Sequence, residues 1–326
     1  MGYRVGKAGS ARPVMVGVLA MAVAVLPVSV SATGHADRRV RSAGEGSPPR
    51  PDGYFHLRAR VRWSDLPGDQ SCARRVHRSG WEPRPENRPE NHTVPSARAV
   101  ASAFAIRPRS RVRETYRKRW DRWLLPRVDG DFTGTTDEVF QWAACKWGLA
   151  DNMLRSIAVR ESTWYQYLTR RDGTCVVSRG CGDVFTEANS ASRTYCEGLR
   201  KVGHHDYQPQ FGGSGLCPKT FSIVGIMAWD DPAWEAPAPP WRGNQNGTFP
   251  FSRNSTAFAV DYLASYLRGC YEGWITWLHP HEGDIWGCVG SWYSGDWHSA
   301  AANRYVDEVR STLRRRPWLR PAFADA

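Results

Sequence analysis

Residues 151–164 read Asp151-Asn152-Met153-Leu154-Arg155-Ser156-Ile157-Ala158-Val159-Arg160-Glu161-Ser162-Thr163-Trp164. Met153, Leu154, Ile157 and Ala158 recur at helical spacing and draw one apolar face. One turn further along that face stands Glu161. The spacing predicts a helix from about residue 151 with a carboxyl on its buried stripe. Burial disfavours the ionised form and raises a carboxyl's pKa. A carboxyl that still carries its proton near neutrality can act as a general acid. The competing reading is a helix-end Glu held by Ser162, Arg160 or a backbone amide.

The neighbouring stretches extend the helical pattern. Thr135 and Glu138 form a capping-box signature. Val139, Phe140, Ala143 and Trp147 then follow on one face, up to a stop at Gly148. Residues 255–268, 285–293 and 300–313 also read as helices, and 221–229 is an apolar run. Residues 165–220 and 230–254 read as irregular. Helices dominate and strand signal is weak, so the expected class is mainly α.

The chain has 326 residues and a net charge of +12, and the charge is unevenly placed. Residues 37–127 hold 22 Lys and Arg against 10 Asp and Glu, whereas residues 128–326 hold 19 against 22. A nucleic-acid enzyme should carry its positive charge on the working domain, so nucleic acid is not an expected partner. Arg4, Lys7 and Arg12 precede an uncharged apolar run over 14–30, with small residues after it, which predicts an export signal over 1–36. Retention of that run as a membrane anchor is the alternative. Residues 37–110, rich in Arg, Pro, Ser and Gly, are expected to be disordered. Residues 111–127, with Val112, Tyr116, Trp120 and Trp123 at helical spacing, read as a basic amphipathic helix. It would dock its aromatic stripe on the next domain or meet an anionic surface. The globular domain is expected over 128–318, with a tail over 319–326.

Eight cysteines fit an oxidising compartment. Proximity favours Cys175–Cys181, Cys196–Cys217 and Cys270–Cys288, leaving Cys72 and Cys145. His204-His205-Asp206 and His279-Pro280-His281-Glu282 lack metal-site spacing. Gly212-Gly213-Ser214-Gly215 is not followed at Walker spacing by Lys and Ser or Thr. No GxSxG elbow is present. Neither a metal nor a cofactor is expected.

The segment Ile157-Ala158-Val159-Arg160-Glu161-Ser162-Thr163-Trp164 resembles the first motif of the lytic transglycosylase family, in which a helix ends in Glu-Ser with an aromatic soon after. Further landmarks follow in order. Gly225-Ile226-Met227 is similar to the family's Gly-Leu-Met, residues 258–267 to its helix with a Tyr-Leu pair, Trp292-Tyr293-Ser294-Gly295 to Tyr-Asn-Ala-Gly, and Tyr305-Val306 to the closing Tyr-Val. The likeness covers roughly residues 134–317. Trp142-Ala143-Ala144-Cys145-Lys146-Trp147-Gly148 gives it the look of a secreted, actinobacterial-type member. Three departures stand out: the long gap between Glu161 and Gly225, Ala228 where the family has Gln, and Tyr293 where it has Asn.

The resemblance implies a lysozyme-like fold acting on peptidoglycan glycan strands, secreted to the cell wall and monomeric. Glu161 is then the acid/base. Ser162, Trp164, Gly225, Ile226, Met227, Trp229, Trp292, Tyr293 and Tyr305 are expected around the substrate. Trp164, Trp229, Trp234 and Trp241 are groove-wall candidates, with core packing as the alternative for each. Residues 37–127 are expected to meet anionic wall polymers. A hydrolytic lysozyme would need a way to activate water, for which Asp183, Asp230 and Asp296 are candidates. A glycan-binding protein without activity is the other alternative.

Overall fold

The capping box expected at Thr135 is formed. Its hydroxyl accepts from Glu138 N at 3.3 Å, and Glu138 returns a carboxylate oxygen to Thr135 N at 3.1 Å. From there a helix runs over Thr136–Trp147, every residue of it buried, and stops at Gly148 with φ +63°. In this computed structural model the described residues are 46–105, 119–167, 222–226, 247–248, 250–275, 278 and 281–324. All lie in one compact unit, Ser42–Ala326.

In chain order the helices are α1 (Asp69–Ala73), α2 (Arg88–Asn91), α3 (Ala97–Ala105), α4 (Thr136–Trp147), α5 (Asp151–Ser162), α6 (Phe251–Asn254), α7 (Thr256–Tyr271), α8 (Ile285–Ser294), α9 (Ala300–Arg315) and α10 (Pro321–Ala324). No strand occurs among the described residues. The mainly α class expected from the sequence is therefore what the chain adopts. No helix among the described residues is long and apolar enough to cross a membrane.

Helix α7 is the hub, with all sixteen of its residues buried. It packs on α4 and α8. Helix α5 packs on α4 and α9, and α9 packs on α8. Val139 and Phe140 from α4, Leu154 and Ile157 from α5, Phe258 and Leu263 from α7, and Val289, Val306 and Val309 from α8 and α9 share one apolar core. Ser255, Asp284 and Ser299 cap α7, α8 and α9 with their side-chain oxygens, each satisfying a donor the helix leaves open.

Two buried cations tie this core together. Lys146 of α4 reaches Asp69, Asp129 and Asp261 at 2.5, 2.9 and 2.9 Å. Arg155 of α5 reaches Asp137 at 2.7 Å and Asp151 at 2.9 Å. Charges this deep are tolerated because each has its counter-charge in contact.

The segment expected to be disordered is folded wherever it is described, from residue 46 to 105. Cys72 is bonded to Cys145 of α4, and Val76, Arg84, Asn87 and Val100 are buried. The segment has few periodic apolar positions because it makes no core of its own. It borrows the one built by α4 to α9. Closing the 73-residue span between the two cysteines removes on the order of 4 kcal/mol of chain entropy from the unfolded state. The expected Cys270–Cys288 bond is present too. Cys175, Cys181, Cys196 and Cys217 lie outside the described residues.

Two further boundaries move. The basic helix expected over 111–127 is described only from residue 119. There the chain makes a π turn, Trp120–Leu124, then a 3-10 turn, Leu125–Arg127. Trp120 is buried edge-on against Tyr262 and Tyr266 of α7, the docking expected of the aromatic stripe. The expected tail over 319–326 belongs to the core as far as α10. Trp318 is fully buried, and Phe323 meets Trp164 at 5.1 Å between ring centroids.

Candidate active site

Helix α5 ends one residue after Glu161. Ser162 is buried and its hydroxyl donates to Ile223 O at 2.8 Å. That bond docks a tight turn over 222–226 against the helix end. Gly225 N donates to Ser222 O at 2.9 Å and Ser222 N to Ile226 O at 2.7 Å. From the other side Trp292 of α8 donates its indole N–H to Val224 O at 3.0 Å. Gly225 has φ +85°, and a Cβ there would stand 2.3 Å from Glu161 Oε2. Glycine is required twice over, for the left-handed backbone and for the carboxyl lying on its Cα.

Glu161 is partly buried. Its Oε1 accepts from the hydroxyl of Tyr305 on α9. Burial pushes its pKa up to about 7, against smaller downward pulls from the Tyr305 hydrogen bond and the Arg160 charge. Arg160 turns outward to pair with Glu308. Tyr305 is pushed well above its ordinary value by its own burial and by the carboxyl beside it, so it remains a donor. Tyr293 lies flat on Tyr305, with centroids 4.7 Å apart and planes 3° apart, and is 60% exposed. A carboxyl whose pKa burial raises to about 7 is thus held by a phenol whose other neighbour, Tyr293, presents an open aromatic face.

Glu82 provides a control. Burial also pushes its pKa to about 7. Its oxygens, however, are occupied by Thr136 N at 2.7 Å, Thr136 Oγ1 at 3.0 Å, Asn91 Nδ2 at 2.7 Å and Arg84 N at 2.9 Å. It caps α4. Among the described residues Glu161 has one side-chain donor, and it keeps an accessible edge, the condition a reacting acid needs.

The structure brings together Glu161, Gly225, Tyr305 and Tyr293, with Ser162, Trp292 and Ile226 holding the turn. Two roles are corrected. Ser162 spends its hydroxyl on Ile223 O and Ala158 O, so it is a fastener and not a substrate contact. Trp164 is fully buried among Phe140, Trp318 and Phe323, so it is core and not groove wall. The cause is backbone conformation: Thr163 and Trp164 have φ +53° and +68°, which folds the indole back under α5 to donate to Arg155 O at 2.9 Å. Met227, Trp229, Trp234 and Trp241 lie outside the described residues, as do Asp183, Asp230, His204, His205 and His279. Asp296 is exposed between α8 and α9. No cluster of potential metal ligands occurs among the described residues.

A cavity of about 240 Å³ lined by Phe55, His56, Arg58, Arg75, Cys145 and Gly148, among others, opens at the far end of α4 and includes no part of this site. Sequence reading missed Arg84 and Asn87, which hold the turn after Glu161 from the segment taken as disordered. The signal that pointed there was Cys72, left without a near partner beside Cys145. The chain matches no family model, no curated protein and no solved structure.

Proposed function

We propose that this protein is an exported enzyme that cuts the β-1,4 bond between N-acetylmuramic acid and N-acetylglucosamine in peptidoglycan, with Glu161 as its acid and base. The observation that supports this most is the Glu161 carboxyl itself, buried enough to titrate near 7 and held by a phenol that stays protonated. In the first step Glu161 gives its proton to the glycosidic oxygen as the C1–O bond breaks, leaving an oxocarbenium-like sugar. Glu161, now ionised, takes the proton of that sugar's own C6 hydroxyl, and O6 closes on C1. Attack from within the sugar gains from proximity and consumes no water. The product is a 1,6-anhydromuramyl end. Tyr305 holds the carboxyl in place through both steps, and Tyr293 offers its exposed face to a sugar ring. No metal or cofactor takes part.

Export to the cell wall fits the two disulfides among the described residues. The surplus of Lys and Arg over residues 37–127 suits contact with anionic wall polymers. The test is mass spectrometry of fragments released from purified peptidoglycan, with Glu161→Gln as control. Expected are non-reducible fragments lighter by one water than hydrolysis products, and none from the variant. Fully reducible fragments would assign hydrolysis and send the search to a water-activating carboxylate. No release by the wild type would leave a glycan-binding protein.

A further inference from the structure

Thr163 and Trp164, the two residues that follow Glu161-Ser162, are both left-handed, at φ +53° and +68°. Neither is glycine, and Thr is β-branched, so each position carries backbone strain. Such strain persists only where surrounding contacts hold it. Both strained carbonyls are gripped by side chains of one distant segment. Arg84 Nε donates to Thr163 O at 2.9 Å, and Asn87 Nδ2 donates to Trp164 O at 2.7 Å. Asn87 also accepts from Gln166 N at 2.9 Å, so it holds the chain on both sides of Tyr165. Arg84 is fully buried, its guanidinium 4.5 Å from the Tyr165 ring centroid and 4.3 Å from that of Phe323, with a further bond to Phe323 O. The grip therefore connects the end of α5 to both the N-terminal segment and α10.

We infer that Arg84 and Asn87 are positioning residues for Glu161, a clamp that fixes the strained turn after α5 and so keeps the carboxyl seated on Gly225 and against Tyr305. Neither touches the carboxyl. They act through the backbone of 163–166. Glu161 is two residues from Thr163, and its seat leaves little slack, since a Gly225 Cβ would stand only 2.3 Å from its Oε2. If the turn relaxes toward ordinary helical or extended backbone, the carboxyl leaves that seat and meets more water. Among the described residues the charged and titratable groups facing it are Tyr305 on α9 and Arg160 on its own helix, the latter paired with Glu308. No hydrogen bond or ion pair among the described residues links any of them to Arg84 or Asn87, so the change expected in Glu161 is one of burial, and its pKa should fall.

The role of the clamp in catalysis rests on Glu161 being the working acid, so the test needs a readout independent of glycan. Wild type, Asn87→Leu and Arg84→Lys are prepared with 13C-labelled Glu. The Glu161 carboxyl is titrated by NMR, assigned with Glu161→Gln, and kcat and KM are measured on soluble glycan strands. Asn87→Leu keeps the approximate shape, removes the donor and adds no charge. Expected is a Glu161 midpoint lower by about one pH unit or more. A kcat roughly 10- to 100-fold lower should accompany it, with little change in KM. Thr163→Gly removes the strain at one clamped residue, so combined with Arg84→Lys it should recover most of the lost kcat and midpoint. Folded variants with an unchanged midpoint overturn the clamp, whatever their activity. A shifted midpoint in a protein whose wild type cuts no glycan upholds the clamp and removes the proposed reaction.

Discussion

Helix α5 buries charge in two different ways. Six residues before Glu161, Arg155 is completely enclosed with Asp137 and Asp151 in contact, and its positive charge is held by those two carboxylates against the cost of burial. At the other end Glu161 has a phenol for its partner and no cation in contact with its carboxyl among the described residues. The first arrangement locks protonation states and serves the fold. The second leaves a carboxyl whose two protonation states lie close in free energy at neutral pH. The difference shows that burial alone does not mark a functional acid. Burial without a compensating charge, on a side that solvent or substrate can reach, is what the proposed role of Glu161 requires.

The largest expected effect is at the uncompensated end. Glu161→Gln should lower cleavage by roughly 10²- to 10⁴-fold, the usual contribution of a general acid, with the fold intact. Wild-type turnover in a folded variant would remove Glu161 from the chemistry. At the compensated end Arg155→Met should cost roughly 3–5 kcal/mol, because two carboxylates lose their buried partner. A chemical melt with less than half of that loss would show that the pairing is not what holds the helix. Tyr305→Phe should be milder, roughly 1.5–3 kcal/mol in transition-state stability for a lost hydrogen bond to a charged group. Tyr305 favours the ionised carboxylate, so its loss should raise the Glu161 pKa further. The alkaline limb of kcat/KM should then move to higher pH, and a downward shift would reverse the assigned role.

The remaining effect is on the pH dependence of stability. Glu161 has a folded pKa of about 7 against an ordinary 4.5. Between those values the unfolded chain releases a proton that the folded one keeps, so folding weakens as pH rises through the window and levels off above 7. The cost is at most about 3 kcal/mol. Glu161→Gln removes it, so the variant should gain stability over the wild type between pH 5 and pH 8. Parallel stability curves would show that the carboxyl carries no burial penalty.

What was legible in the sequence is what repeats locally. The Thr135–Glu138 cap, the Gly148 stop, the apolar stripe that carries Glu161 and the helix that brings Tyr305 to it are all written at spacings of three or four residues. Gly225 was legible as a motif, although its reason, a carboxyl on its Cα, needed the fold. Trp164 was misread because its left-handed backbone reverses the direction that helical spacing would give its side chain. Residues 46–105 and the chain end were misread because their burial is non-local. Arg84 has no apolar period around it, and its aromatic partners Tyr165 and Phe323 lie 81 and 239 residues away in the chain.

The most direct measurement is the site-specific titration of the Glu161 carboxyl in the wild-type protein by 13C NMR. A midpoint near 7, rising in Tyr305→Phe, is expected of a buried carboxyl without charge compensation. A midpoint near the ordinary 4.5 would mean that Glu161 is ionised and solvated at neutral pH, and it would contradict its assignment as the acid.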